Sequence, residues 1–87
     1  MSMAQFPVLV EVTLRPGIAD PQGATVERSL PHLGFDGVSA VKVGKAIRFR
    51  LEADDEAAAA DEVDDMCKRF LTNPVIEDAS VTIEAAT

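Results

Sequence analysis

The chain has 87 residues, 47% hydrophobic and 26% charged, with a formal net charge of −7. The acidic excess opposes binding to nucleic acid or to an anionic membrane surface, because phosphate contacts need clustered Lys and Arg. Cys67 is the only cysteine, which excludes an intrachain disulfide.

A chain this short is expected to form one domain over residues 1–87, with its core at about 7–84. It buries only about two-thirds of the surface its unfolded form exposes, so further burial between subunits would help it. The N-terminal stretch MSMAQFPVLVEV has neither a basic leader nor a long apolar segment, and no run approaches the roughly eighteen apolar residues of a membrane span. Cytoplasm is therefore the expected compartment.

The first element is PVLVEVTLR, where Val8, Val10, Val12 and Leu14 alternate with Leu9, Glu11, Thr13 and Arg15. That period of two predicts a half-buried strand. Asp20-Pro21 then predicts a helix start, with a capping carboxylate followed by proline in the first turn. Val26, Leu30 and Leu33 make one apolar stripe, and Gly34 supplies a stop. Pro31 lies inside this helix and cannot donate to the Glu27 carbonyl, so a kink or a loosened last turn is expected.

Two β-rich runs follow around Gly44-Lys45, a glycine-first pair suited to a tight hairpin. The first holds Val41 and Val43; the second sets Ile47, Phe49 and Leu51 against Arg48, Arg50 and Glu52. A second helix is predicted after Asp54 or Asp55, with a buried stripe of Ala59, Val63, Met66 and Phe70 and with Cys67 and Leu71 beside it. Lys68 and Arg69 suit its C-terminal end. Asn73 is expected to close it in a left-handed conformation before Pro74, and Ala79, Val81 and Ile83 to alternate in a last strand. The order β-α-β-β-α-β is that of a ferredoxin-like α+β domain, an antiparallel sheet with both helices on one face. Its open face would carry Glu11, Thr13, Arg15, Arg48, Arg50, Glu52, Thr82 and Glu84.

Residues with reactive chemistry are few. His32 is the only histidine and reads as a helix-end residue; Cys67 falls in the apolar stripe and reads as a core thiol. The acids Asp54, Asp55, Glu56, Asp61, Glu62, Asp64 and Asp65 spread around a helix and lack the spacing of a calcium loop. Gly44-Lys45 does not end a phosphate loop, since Ser39 stands where its first glycine belongs and Ala46 replaces the Ser or Thr. Ser29, His32 and Asp36 crowd one short helix and its exit, with no nucleophile turn. No catalytic residue, cofactor or metal is expected.

Three pieces in order carry a resemblance: Asp20-Pro21-Gln22-Gly23, then Leu33-Gly34-Phe35 leading to Gly44-Lys45, then Asn73-Pro74-Val75-Ile76-Glu77-Asp78. Together they resemble the PurS family, the small subunit of phosphoribosylformylglycinamidine synthase (FGAM synthase) in purine biosynthesis, over about Val8 to Ile83. The resemblance implies a non-catalytic subunit of an ATP- and glutamine-dependent ligase. Such a subunit bridges a PurL-type synthetase, which uses ATP, and a PurQ-type glutaminase, and assists ammonia transfer between them. A homodimer or larger homo-oligomer is implied as well. Lys45, Arg48, Arg50, Asn73 and Glu77 are the candidate interface residues. One departure is Ala79, where the family commonly has an aromatic residue after the acidic pair.

A competing expectation is a small-molecule-binding regulatory module like the ACT domains, suggested by Arg15-Pro16-Gly17-Ile18 before a helix. In those modules the helix follows the glycine directly, whereas Asp20-Pro21 places it later here.

Overall fold

The first strand, β1 (Ala4–Leu14), is the middle of a three-stranded antiparallel sheet. Phe6, Val8, Val10 and Val12 are buried on one face, while Glu11 and Thr13 stay exposed on the other, as the alternation predicts. The computed structural model describes residues 3–86; the first two residues and the last, part of the expected domain, lie outside that range. One flank of β1 holds β2 (Lys45–Ala53), in a register that sets Val10 opposite Ile47 and Val8 opposite Phe49. The other flank holds β3 (Glu77–Ile83), with Val81 opposite Val10 and Ile83 opposite Val8.

The core lies between this inner face and a single helix. Asp55 caps α2 (Glu56–Met66) by accepting the Ala58 amide at 2.8 Å, so the second of the two expected caps is the one used. Ala59 and Val63 are fully buried, and Val63 and Cys67 pack with Val8, Val10 and Val12.

The other helix, α1 (Pro21–Ser29), starts where Asp20-Pro21 predicts, with Asp20 Oδ1 accepting the Gly23 amide at 2.9 Å. It tightens into a 3-10 turn at Leu30–Leu33, the loosened last turn that Pro31 enforces. Gly34 closes that turn at φ 96°, a left-handed conformation that favours glycine.

Four local expectations are corrected. The α+β class and the antiparallel sheet stand, but the order is β-α-β-α-β, because residues 39–44 form no strand and no hairpin. A glycine-first hairpin turn needs positive φ at its first position, and Gly44 has none. The chain instead runs through Gly44 straight into β2, whose antiparallel partner is β1.

Helix α1 also does not share the inner face with α2. It packs on its own 3-10 turn and touches the sheet only marginally. The Asp20 carboxylate holds the start of α1 to Val43, and Glu27 Oε1 accepts the Val41 amide at 2.9 Å, so α1 lies along the 41–43 segment instead of folding over the sheet. The molecule is accordingly drawn out to 58 × 27 × 14 Å.

Phe70 is 87% exposed instead of buried. The chain widens into a π-helical turn at Cys67–Leu71, closed by the Thr72 amide on the Cys67 carbonyl at 3.1 Å. That extra residue shifts the helical phase, so the buried stripe runs through Ala59, Val63 and Cys67 and leaves Phe70 outside. Asn73 takes no left-handed conformation; the terminator is Thr72, extended at φ −130°.

Candidate functional site

The sheet face turned away from α2 is built by register alone. Leu9 on β1 stands opposite Arg48 on β2 and Thr82 on β3, and Pro7 stands opposite Arg50. Arg48 and Arg50 are both exposed. With Pro7, Leu9, Thr82 and Glu84 they line a shallow recess of about 320 Å³. Among the described residues neither arginine has a carboxylate within ion-pair distance. In a chain of net charge −7, this pair places two positive charges beside apolar Leu9 and Pro7, with Glu84 on the same recess, so the face carries both signs of charge. Such a surface suits docking, where charge sets orientation and the apolar strip supplies burial.

The other candidate residues meet at the end of the sheet. Asn73 donates its amide to Glu77 Oε1 at 2.7 Å, and its own carbonyl accepts the Glu77 amide at 2.8 Å and the Ile76 amide at 3.1 Å. Its side chain accepts the Val75 amide at 3.1 Å. Asn73 and Glu77 thus close a turn around Pro74 that delivers the chain into β3. Lys45 and Glu77 line one recess of about 320 Å³ together with Asp20, Val12, Leu14 and Val43. The structure brings together Arg48 with Arg50, and separately Lys45, Asn73 and Glu77.

Sequence spacing did not reveal what fixes this end of the molecule. Arg15 Nε pairs with Asp78 Oδ1 at 3.1 Å, and the Arg15 amide donates to the Ile76 carbonyl at 2.8 Å. Asp20 does more than cap α1, since its Oδ2 accepts the Val43 amide at 2.9 Å. The Gly23 and Val43 amides, with Lys42 nearby, hold the Asp20 carboxyl below its ordinary range.

Residues with reactive chemistry are not gathered. Ser29 Oγ donates to the Thr25 carbonyl at 2.8 Å within α1, while His32 and Asp36 are exposed. Cys67 is buried, and burial, with Asp64 adding to it, pushes its thiol pKa up, away from the reactive thiolate. Among the described residues no group of three or more His, Cys, Asp or Glu is placed to hold a metal ion. No described helix is long and apolar enough to cross a membrane. The ACT-like alternative loses its sequence support: Gly17 turns at φ 86°, but α1 begins only at Pro21.

Fold and surface together define a small α+β protein whose prominent surface features are an exposed sheet face carrying two arginines and a hydrogen-bonded turn at the end of the sheet. The family model "PurS: Phosphoribosylformylglycinamidine (FGAM) synthase" matches residues 7–85. A PurS subunit of FGAM synthase from Synechocystis sp. is 49% identical over 76 residues, 87% of this chain and 76% of the relative. A PurS crystal structure from Methanocaldococcus jannaschii, described as one of the subunits of formylglycinamide ribonucleotide amidotransferase in the purine biosynthetic pathway, matches with a TM-score of 0.82. It is 35% identical and is matched over 91% of this chain and 95% of its own. A chain in the PurLQS structure from Thermotoga maritima matches with a TM-score of 0.88 at 32% identity, over 94% of this chain and all of that one. This chain belongs to the PurS family of FGAM synthase subunits.

Proposed function

We propose that this protein acts in the cytoplasm as the auxiliary subunit of FGAM synthase in purine biosynthesis, bridging a PurL-type synthetase and a PurQ-type glutaminase and assisting ammonia transfer between them. The observation that carries this reading is the match of nearly the whole chain to a chain of the PurLQS structure. The surfaces support it. The open sheet face offers Arg48 and Arg50 beside Leu9, and the turn around Asn73 and Glu77 offers a rigid edge near Lys45. A rigid body with one surface on its open sheet face and another at the end of its sheet can hold two larger enzymes in one orientation, which raises the effective concentration of one for the other. Self-association into two or more copies belongs to the same reading.

Co-purification tests the bridge. A tagged PurL-type synthetase should retain the PurQ-type glutaminase when this chain is present and release it when the chain is left out. Equal retention in both cases would rule the bridge out.

A further inference from the structure

The register of the open sheet face sets two rows of side chains across β1. Arg50 on β2 stands opposite Pro7, and Glu84, just past the end of β3, donates its amide to the Pro7 carbonyl at 3.0 Å from the other side. In the neighbouring row Arg48 stands opposite Leu9, and Leu9 opposite Thr82. Both rows line the recess of about 320 Å³ described above. Two residues along one strand put the arginine Cα atoms about 7 Å apart, and two strand spacings put β2 about 10 Å from β3. The recess therefore has a wall of two guanidinium groups, a facing wall of carboxylate and hydroxyl, and a floor of half-buried Pro7 and Leu9.

Among the described residues neither arginine closes an ion pair, and neither does Glu84. Opposite charges held apart over an apolar floor favour a molecule that brings both signs with it. A phosphate would satisfy the arginines but set a like charge against Glu84, and a cation would do the reverse. A purely apolar molecule would strip water from three charged groups and return no hydrogen bond. The volume stands at the small end of ligand sites, which run from about 300 to 1,000 Å³, and suits a compact zwitterion better than a nucleotide.

We propose that this recess binds a free α-amino acid with an apolar side chain. Its carboxylate lies on the guanidinium groups of Arg48 and Arg50, whose planar forks match carboxylate geometry. Its ammonium lies on the Glu84 carboxylate, with the Thr82 hydroxyl as a second acceptor, and its side chain covers Pro7 and Leu9. This goes beyond the bridging role. Because the same two arginines belong to the docking face proposed above, the test uses the isolated chain, so that the two readings stand or fall separately.

L-leucine is the probe, followed by amide and side-chain NMR shifts of the isolated chain. It should saturate shifts at Leu9, Arg48, Arg50 and Thr82 with a dissociation constant of about 0.1–1 mM, while the amides of α2 stay unmoved. Leucinamide, which lacks the carboxylate, and 4-methylpentanoate, which lacks the ammonium, should each bind about tenfold more weakly, and inorganic phosphate more weakly still. Arg50→Gln and Glu84→Gln, both at exposed positions, should each cost about tenfold in leucine affinity. The two should differ in kind: Glu84→Gln leaves 4-methylpentanoate binding no weaker, and Arg50→Gln leaves leucinamide binding no weaker. Absence of any shift at about 10 mM leucine would overturn the proposal, as would equal affinity for leucine and 4-methylpentanoate or tighter binding of phosphate. The series of ligands on the unmodified chain decides the matter even where a variant does not fold.

Discussion

The Asp20 carboxylate accepts the Val43 amide at 2.9 Å across 23 residues of sequence, while its other oxygen caps α1 through the Gly23 amide at 2.9 Å. One side chain therefore fixes both where the helix starts and which way it points. Its pKa lies below the ordinary 3.8, so the folded state favours the charged form. That contribution to stability is fully present above pH 3.8 and is lost as the pH falls through the lowered value. Acid titration followed by NMR should show the Gly23 and Val43 amides keeping their hydrogen-bonded shifts down to pH 3.8 and losing them only as the pH falls through the lowered value. In Asp20→Asn that pH dependence should disappear.

Gly23 is buried where a Cβ would stand 2.6 Å from both Asp20 Oδ2 and the Val41 carbonyl oxygen. Gly23→Ala should therefore push α1 away from the 41–43 segment, even though alanine is the better helix former. The Val41 and Val43 amides should exchange with solvent about tenfold faster or more, while those of α2 keep their protection. Unchanged exchange at both would show that α1 is not held by this contact.

Val63 and Phe70 separate the buried stripe from the surface. Val63→Ala removes two methyl groups from a fully buried site and should cost about 2–3 kcal/mol in urea unfolding. Phe70→Ala, at a side chain 87% exposed, should stay within about 0.5 kcal/mol of the unmodified protein.

Much of this fold is legible locally. The alternation of β1, the caps at Asp20 and Asp55, the proline-loosened turn and the Gly34 stop each depend on a few adjacent residues, and each appears as the pattern predicts. The misplaced features depend on distance. Gly44-Lys45 has hairpin chemistry, but the course of the chain there is set by Asp20, 23 residues away from Val43, and by β1 taking β2 as its neighbour. Phe70 fits a regular helical stripe, and no residue nearby announces the π turn that moves it outward. The site divides in the same way. Arg48 and Arg50 share a face by strand period alone, whereas the closure of Asn73 on Glu77 needed the turn geometry to be seen.

Charge reversal at the open face should act on partners and not on the fold. Arg48→Glu with Arg50→Glu changes two exposed side chains, so the circular-dichroism spectrum and unfolding midpoint should match the unmodified protein. Binding to the PurL-type synthetase or PurQ-type glutaminase should weaken about tenfold or more, with the difference shrinking at high salt. Unchanged binding to both would remove this face from the interface.

The most direct measurement is the rate of FGAM synthesis by the two large subunits, with and without this chain, from glutamine and separately from free ammonia. With the chain present, the glutamine-dependent rate should rise by at least about an order of magnitude, while the ammonia-dependent rate stays nearly constant. Equal glutamine-dependent rates in both mixtures would contradict the bridging role.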